Sequence, residues 1–288
     1  MTTAPAKDAK PRDTQPRRAC VMGWPIEHSL SPRIMGYWIS RYGINATYNP
    51  MPVTLAQLKD AMQMLIDNEY AGCNLTIPLK EEAMALMDSH DDSALVSGAI
   101  NTVVVKDGKL KGYNSDGFGF MESLKSQFPE WRSDKIVVVG TGGAARGVIA
   151  ALNAAGAKHF VLINRTPERA EKIVSGFNLN AEVVKWEDRQ QALAGATMLV
   201  NGSSLGMVGQ PPLEIDLSAL PRDAAVCDLV YRPLMTPLLM SARARGNPTV
   251  EGLGMLLHQA RLGFREWFGQ DPEVTLALYE DMRKAAAA

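Results

Sequence analysis

The segment with the plainest chemistry is Lys135-Ile136-Val137-Val138-Val139-Gly140-Thr141-Gly142-Gly143-Ala144-Ala145-Arg146. A β-branched apolar run enters a glycine turn, and an alanine-rich run leaves it. Such a turn lets backbone approach a pyrophosphate, while the first helical N–H groups and the helix dipole meet the negative charge. Ala145 takes the slot of the third glycine, where alanine still permits close helix–strand packing. Gly140, Thr141, Gly142, Gly143 and Ala144 are therefore candidate cofactor contacts. The tip of the next strand selects the dinucleotide, because NAD sites carry a carboxylate there for the ribose hydroxyls. Here the tip reads Asn164-Arg165-Thr166, 24 residues after Gly140, without an acidic residue. Arg165 and Arg169 are four apart, a spacing for one helix face, and two guanidiniums with a hydroxyl suit a 2′-phosphate. NADP is the expected cofactor. Two ordinary surface arginines are the alternative.

This chemistry needs a strand, a turn and a helix in that order, and the flanking pattern supplies many such units. Strands are expected at 19–22, 46–51, 72–77, 135–139, 159–163, 198–201 and 226–229. Helices are expected at 33–42, 55–68, 80–87, 118–127, 144–155, 167–175, 255–267 and 273–284. Leu55, Leu58, Met62, Leu65 and Ile66 form a helical stripe. Asp107-Gly108 joins the runs 101–106 and 109–113 as a hairpin turn. Strands alternating with helices imply parallel pairing and a doubly wound α/β fold.

Composition narrows the function class. The 288 residues suggest about two domains. Thirty Lys and Arg against 31 Asp and Glu leave a net charge of −1, which argues against a nucleic-acid or polybasic membrane partner. Small-molecule chemistry is favoured. Cys20, Cys73 and Cys227 are widely spaced with no Cys-x-x-Cys, as expected of a cytoplasmic protein. His28, His90, His159 and His258 form no metal-binding pair, so no metal site is expected. No apolar run is long enough to span a bilayer. Residues 1–19, rich in Ala, Pro and charge, do not resemble a secretory signal and read as a disordered tail of charge +3.

Polar clusters punctuate the rest: Ser29-Leu30-Ser31-Pro32, Asn74-Leu75-Thr76-Ile77-Pro78-Leu79-Lys80, Asn101-Thr102 and Asn114-Ser115-Asp116-Gly117. Two hydroxyls and free N–H groups at a helix start make a carboxylate cradle, or Ser31 is simply an N-cap. Asn74 and Thr76 share one strand face, which is either a site or solvent. Lys80 alone reads as a surface lysine, Asp116 as a turn or N-cap residue, and Gln259 as a solvated helix residue.

Together with Asn201-Gly202-Ser203-Ser204-Leu205-Gly206-Met207, Asp228-Leu229-Val230-Tyr231-Arg232-Pro233 and Gly252-Leu253-Gly254-Met255-Leu256-Leu257-His258-Gln259, these clusters closely resemble the shikimate dehydrogenase family. The resemblance runs in order from Ala19 to the C-terminus. It implies NADP-dependent reduction of 3-dehydroshikimate to shikimate, a step of aromatic amino acid biosynthesis. It implies Lys80 and Asp116 as the catalytic pair, and Ser29 and Ser31 on the substrate carboxylate with Tyr231 nearby. It further implies Asn74, Thr76, Asn101 and Gln259 around the ring hydroxyls, and Gly252 and Met255 at the cofactor. The chain departs from the family at Met35 and Gly36, where His-Asn is usual, and at Leu79, Ser115 and Glu251. These leave substrate preference open between shikimate and the rivals quinate and aminoshikimate. Methylenetetrahydrofolate dehydrogenase shares the split architecture but lacks the paired serines, Asn101 and Asp116. A non-catalytic NADPH sensor is the rival from another class. The motif order predicts a Rossmann-type domain over 117–251, inserted into a substrate domain of 20–116 and 252–288, with the active site in the cleft between them. A homodimer is kept open.

Overall fold

The apolar runs form two six-stranded sheets, each covered by helices. The computed structural model describes residues 15–287. The chain runs β1 (Arg17–Gly23), α1 (Ser31–Tyr42), β2 (Ala46–Pro52), α2 (Leu58–Asp67), β3 (Gly72–Leu75), β4 (Ser89–His90), α3 (Asp92–Ser97), β5 (Thr102–Lys106) and β6 (Lys109–Tyr113). Then follow α4 (Asp116–Gln127), β7 (Ile136–Val139), α5 (Gly143–Ala154), β8 (Phe160–Ile163), α6 (Pro167–Gly176), β9 (Ala181–Val184) and β10 (Met198–Asn201). The last elements are β11 (Ala225–Asp228), α7 (Pro237–Arg245), β12 (Thr249–Val250), α8 (Gly252–Phe268) and α9 (Leu276–Ala287).

The first sheet has the order β2-β1-β3-β5-β6-β4. It is mixed, because the β5–β6 hairpin pairs antiparallel with itself and with β3. Asp107 (φ 52°) and Gly108 (φ 71°) both take the left-handed conformation that a two-residue hairpin turn needs. The second sheet has the order β12-β11-β10-β7-β8-β9 with every pair parallel. Its strand order reverses between β7 and β10, the switch point where doubly wound sheets bind ligands.

Alternation along the strands explains why both sheets are covered twice. Ile136 and Val138 face one apolar layer, and Val137 and Val139 face the other. In β1, Ala19 and Val21 point one way and Cys20 and Met22 the other. Each buried Val or Ile is worth about 1.5–3 kcal/mol, so a one-residue slip is strongly disfavoured. The C-terminal helices return to the first sheet. Leu253, Leu257, Phe264 and Trp267 of α8 pack with Ile34 and Trp38 of α1, and Trp267 Nε1 donates to the Val103 carbonyl at 2.9 Å. Met255 turns instead to the layer holding Phe120, Leu124 and Val138. Helix α8 thus ties the two halves together.

Some expectations need correction. Residues 1–14 of the expected tail lie outside the described residues. Arg17, Arg18 and Ala19 are strand, not tail. They have ladder partners on both sides: Arg17 N–H donates to Asn45 O at 3.0 Å, and Ala71 N–H to Arg18 O at 2.7 Å. Composition cannot register such long-range pairing. The expected helix at 80–87 is a turn at Lys80 followed by a short 3-10 segment, Glu82–Leu86. The Lys80 carbonyl is taken by Ile100 N–H at 2.8 Å rather than by a helical partner. Helix α7 has no counterpart among the expectations, although Thr236 caps it and Pro237 opens it, a readable start signal. Elements α3, β4, β9 and β12 were not expected either.

Candidate active site

The parallel pairing of β1 with β3 sets Met22 opposite Leu75, so the loops leaving both strands emerge at one end of the first sheet. Ser29 lies on the first of these loops and Ser31 opens the helix that follows it, while Thr76 and Lys80 lie on the second. Strand β5 runs the other way and starts at that end, beside Asn74. Asn101, just before it, therefore joins them. Ser31 is the first residue of α1 and is buried, but its side chain caps nothing. Its N–H donates to Ser29 Oγ at 3.3 Å. The N-cap alternative for Ser31 is set aside. Tyr231 is half-buried, packed against the apolar layer that holds Leu30, the residue between the two serines; burial, the largest influence, raises its pKa.

Lys80 and Asp116 meet. Lys80 Nζ donates to Asp116 Oδ2 at 2.6 Å, with side chains 12% and 1% exposed. Asp116 opens α4, and its other oxygen accepts from Asn101 Nδ2 at 2.9 Å. Asn101 Nδ2 also approaches Gln259 Oε1 at 2.9 Å and Ser115 Oγ at 3.0 Å. An amide nitrogen has only two hydrogens. The Ser115 hydroxyl can donate to Asn101 Oδ1 at 3.1 Å, which leaves those two hydrogens for Asp116 and Gln259. Behind Asn101, Tyr48 OH donates to Asn74 Oδ1 at 2.6 Å, Asn74 Nδ2 to Thr102 Oγ1 at 3.0 Å, and Thr102 Oγ1 to Asn101 Oδ1 at 2.9 Å. Asn74 is thus drawn into a network rather than facing solvent. Such chains hold each member in one orientation and stiffen the site. Burial, chiefly, raises the Tyr48 pKa far above the usual phenol value, so it stays a donor. Tyr48, Thr102, Asn114 and Ser115 support the pair without having been expected as site residues; Thr102, Asn114 and Ser115 lie in the polar clusters visible in the sequence, whereas Tyr48 had no such signal.

The glycine loop faces this cluster. Gly140 has φ +91°, and a Cβ there would stand 2.9 Å from Ser203 N. A Cβ on Gly143 would stand 2.9 Å from Lys80 Cβ. The first turn of α5 therefore lies against the stem of Lys80, and Gly147 lies against Asn114 and Asp116. A pocket beside the switch point is lined by Gly140, Asn164, Arg165, Trp186, Ser203, Ser204 and Leu205. Thr141 Oγ1 is buried without a partner, and space is open beside Gly142. An orphaned hydroxyl, open backbone at a helix start and a cationic strand tip fit a phosphorylated dinucleotide. Among the described residues, no carboxylate lines the pocket. Gly252 begins α8, buried against the Leu229 and Val230 carbonyls.

The two arginines are not on one helix face. Helix α6 starts at Pro167, so Arg165 precedes it and only Arg169 is helical. Arg165 is exposed and lines the pocket. Arg169 Nη2 instead donates to both Glu81 oxygens, at 2.9 and 3.2 Å. Arg146 of α5 donates to Ser97 O at 2.7 Å and stacks over Phe177. Burial is the main cause that lowers its pKa, with Glu81 opposing.

The comparisons agree along the chain. Three family models match: a shikimate dehydrogenase substrate binding domain over residues 21–103, a shikimate / quinate 5-dehydrogenase over 122–206, and a shikimate 5′-dehydrogenase C-terminal domain over 252–286. The shikimate dehydrogenase (NADP(+)) of Rhodospirillum rubrum is 48% identical over 269 residues, covering 91% of this chain and 95% of that protein. Among solved structures, Thermus thermophilus shikimate 5-dehydrogenase in complex with NADP(H) and shikimate superposes with a TM-score of 0.81 at 35% identity, covering 94% of this chain and 98% of that one. A quinate dehydrogenase from Corynebacterium glutamicum in complex with NAD reaches 0.84 at 28% identity, with 94% and 98% covered. With the ion pair, the glycine turn and the basic strand tip in one cleft, and near-half identity over nearly the whole length, the chain belongs to the shikimate dehydrogenase family.

Proposed function

We propose that this chain catalyses the reversible NADP-dependent reduction of 3-dehydroshikimate to shikimate. The observation that carries this is the Lys80–Asp116 pair, 2.6 Å apart, lying against the first turn of the helix that follows the glycine loop. An acid/base pair at that place meets a substrate between the two sheets. The similarity to NADP-dependent relatives and the carboxylate-free pocket support NADP over NAD.

The bound cofactor supplies the hydride. The chain's residues do the rest. Ser29 and Ser31 hold the substrate carboxylate, with Tyr231 at the same end. Lys80 Nζ delivers a proton to the ketone oxygen as charge develops there, and in the reverse direction removes it. Asp116 orients Lys80 and accepts a bond from a ring hydroxyl. Asn101 and Gln259, already bonded to one another, fix Asp116 and the neighbouring hydroxyl, and Asn74 and Thr76 line the same end. Gly140–Ala144 cradle the pyrophosphate. Asn164, Arg165, Thr166 and Arg169 would receive the ribose phosphate, and Gly252 and Met255, whose side chain packs beside Phe120, would serve the nicotinamide end.

A functional division into 20–116 with 252–288 and 117–251 accompanies this reading. So does a cytoplasmic location, supported by three free, buried cysteines. No helix among the described residues is long and apolar enough to cross a membrane. The working partner is a small molecule, with neither nucleic acid nor membrane, and light scattering tells a monomer from a homodimer. The deciding assay compares shikimate and quinate, each with NADP and with NAD. Preference for shikimate with NADP supports the proposal; preference for quinate overturns it.

A further inference from the structure

Among the buried ionisable groups that the proposed chemistry does not use, Asp228 has the richest set of partners. It ends β11 and is 1% exposed. Asp228 Oδ1 accepts from Asn201 Nδ2 at 3.0 Å and from Val230 N–H at 3.0 Å. Asp228 Oδ2 accepts from Thr236 Oγ1 at 2.6 Å. We propose that Asp228 is a positioning residue for both ligands, setting the Ser203–Leu205 wall of the dinucleotide pocket through Asn201 and the place of Tyr231 through Val230. This rests on the reading of the cleft given above.

The argument turns on the Asn201 amide. Its two ends are nearly the same in shape but opposite in hydrogen bonding. An ionised carboxylate accepts only, so Nδ2 must face Asp228, where it also donates to Leu205 O at 2.9 Å. Asn201 Oδ1 is then turned to Ser203, accepting from its N–H at 3.1 Å and its hydroxyl at 2.7 Å. Ser203 Oγ in turn accepts from Leu205 N–H at 3.2 Å. The loop so fixed packs against the left-handed Gly140 and forms one wall of the pocket. On the other side, Val230 is the residue before Tyr231, which packs against the apolar layer that holds Leu30, between Ser29 and Ser31. Thr236 accepts from Leu239 N–H while donating to Asp228, which seats α7 on the same anchor. One carboxylate thus holds three segments from the ends of two neighbouring strands. Burial pushes its carboxyl up to about 6, a cost that a neutral asparagine would avoid. Asparagine, however, offers one acceptor where three donors converge, and its own NH2 permits the Asn201 amide to turn over.

Asp228→Asn and Ser203→Ala test this. NADPH binding is titrated by cofactor fluorescence without substrate, and kcat and both KM values are measured beside it. In Asp228→Asn, NADPH binding weakens about tenfold, in line with one or two lost buried hydrogen bonds. The KM for shikimate rises as well, and both change more than kcat does. In Ser203→Ala only NADPH binding weakens, and by less. Wild-type protein that fails to bind NADPH would defeat the functional reading instead. Wild-type binding retained unchanged in both variants, with Asp228→Asn merely melting earlier, overturns the positioning role. Should Asp228→Asn not fold, Ser203→Ala decides the cofactor arm by itself.

Discussion

Gly143 and Lys80 touch across the cleft: a Cβ on the glycine would lie 2.9 Å from the lysine Cβ and 3.2 Å from its Cδ. The glycine loop is usually discussed for the phosphates, yet here its last glycine also makes room for the lysine stem. Gly143→Ala is expected to displace Lys80 from Asp116. A misplacement near 1 Å can cost up to about a hundredfold, so kcat/KM should fall between roughly tenfold and a hundredfold. Unchanged turnover would show that the stem yields without consequence.

Lys80→Met should lower kcat by about 10²–10⁴-fold, the range for a general acid–base group. It also leaves the Asp116 carboxylate buried, with Asn101 as its remaining side-chain partner. Breaking one half of a buried pair commonly costs about 3–5 kcal/mol. Adding Asp116→Asn should recover stability in urea titration without recovering activity. Recovery of neither, or of both, contradicts separate structural and chemical roles for the pair.

Arg165→Ala should raise the KM for NADPH about tenfold or more while leaving that for NADH unchanged, since a charge-assisted bond to the 2′-phosphate is lost. Arg169→Ala should do less, because Glu81 already shares that guanidinium in an exposed pair, 53% and 36% accessible. Equal effects on both cofactors would remove Arg165 from phosphate recognition.

The pH dependence of stability should carry the mark of Asp228. Burial raises its carboxyl to about 6 in the folded chain, against about 4 when unfolded. Between those values the folded state holds the proton more tightly. Its contribution is full below about pH 4 and is lost as the pH rises through about 6, on the order of 2–3 kcal/mol. Urea midpoints from pH 4 to 8 should therefore show a smaller acid loss in wild type than in Asp228→Asn. Parallel curves would mean that Asp228 does not titrate in this window.

Much of the site was legible because its signals are local. The run from Lys135 to Arg146 specifies strand, turn and helix by residue type alone, and the Asn164-Arg165-Thr166 tip shows its missing carboxylate without any coordinates. The order of motifs likewise gave away the family. Lys80 was different. Read alone it is an ordinary surface lysine, and even its local structure, a turn rather than a helix, depends on the Ile100 N–H that takes its carbonyl. The strand residues Arg17 and Arg18 escaped notice for the same reason, since their partners are at Asn45 and Ala71.

What the amino-acid sequence determined by itself was the α/β alternation, the dinucleotide turn, the preference for a phosphate-bearing cofactor and the family. The first three rest on periodicity, glycine placement and charge within a dozen or so residues, and the family on its resemblance through motifs spread in order from Ala19 to the C-terminus. Only the tertiary structure decided that Lys80 and Asp116 form a buried pair, that Asn101 spends its two amide hydrogens on Asp116 and Gln259, that Arg169 is shared with Glu81, and that Asp228 anchors two loops. Each of these joins residues far apart in the chain. Hydrogen bonds of that kind exist only when two sheets, packed through opposite faces of their strands, bring the loops at their ends together.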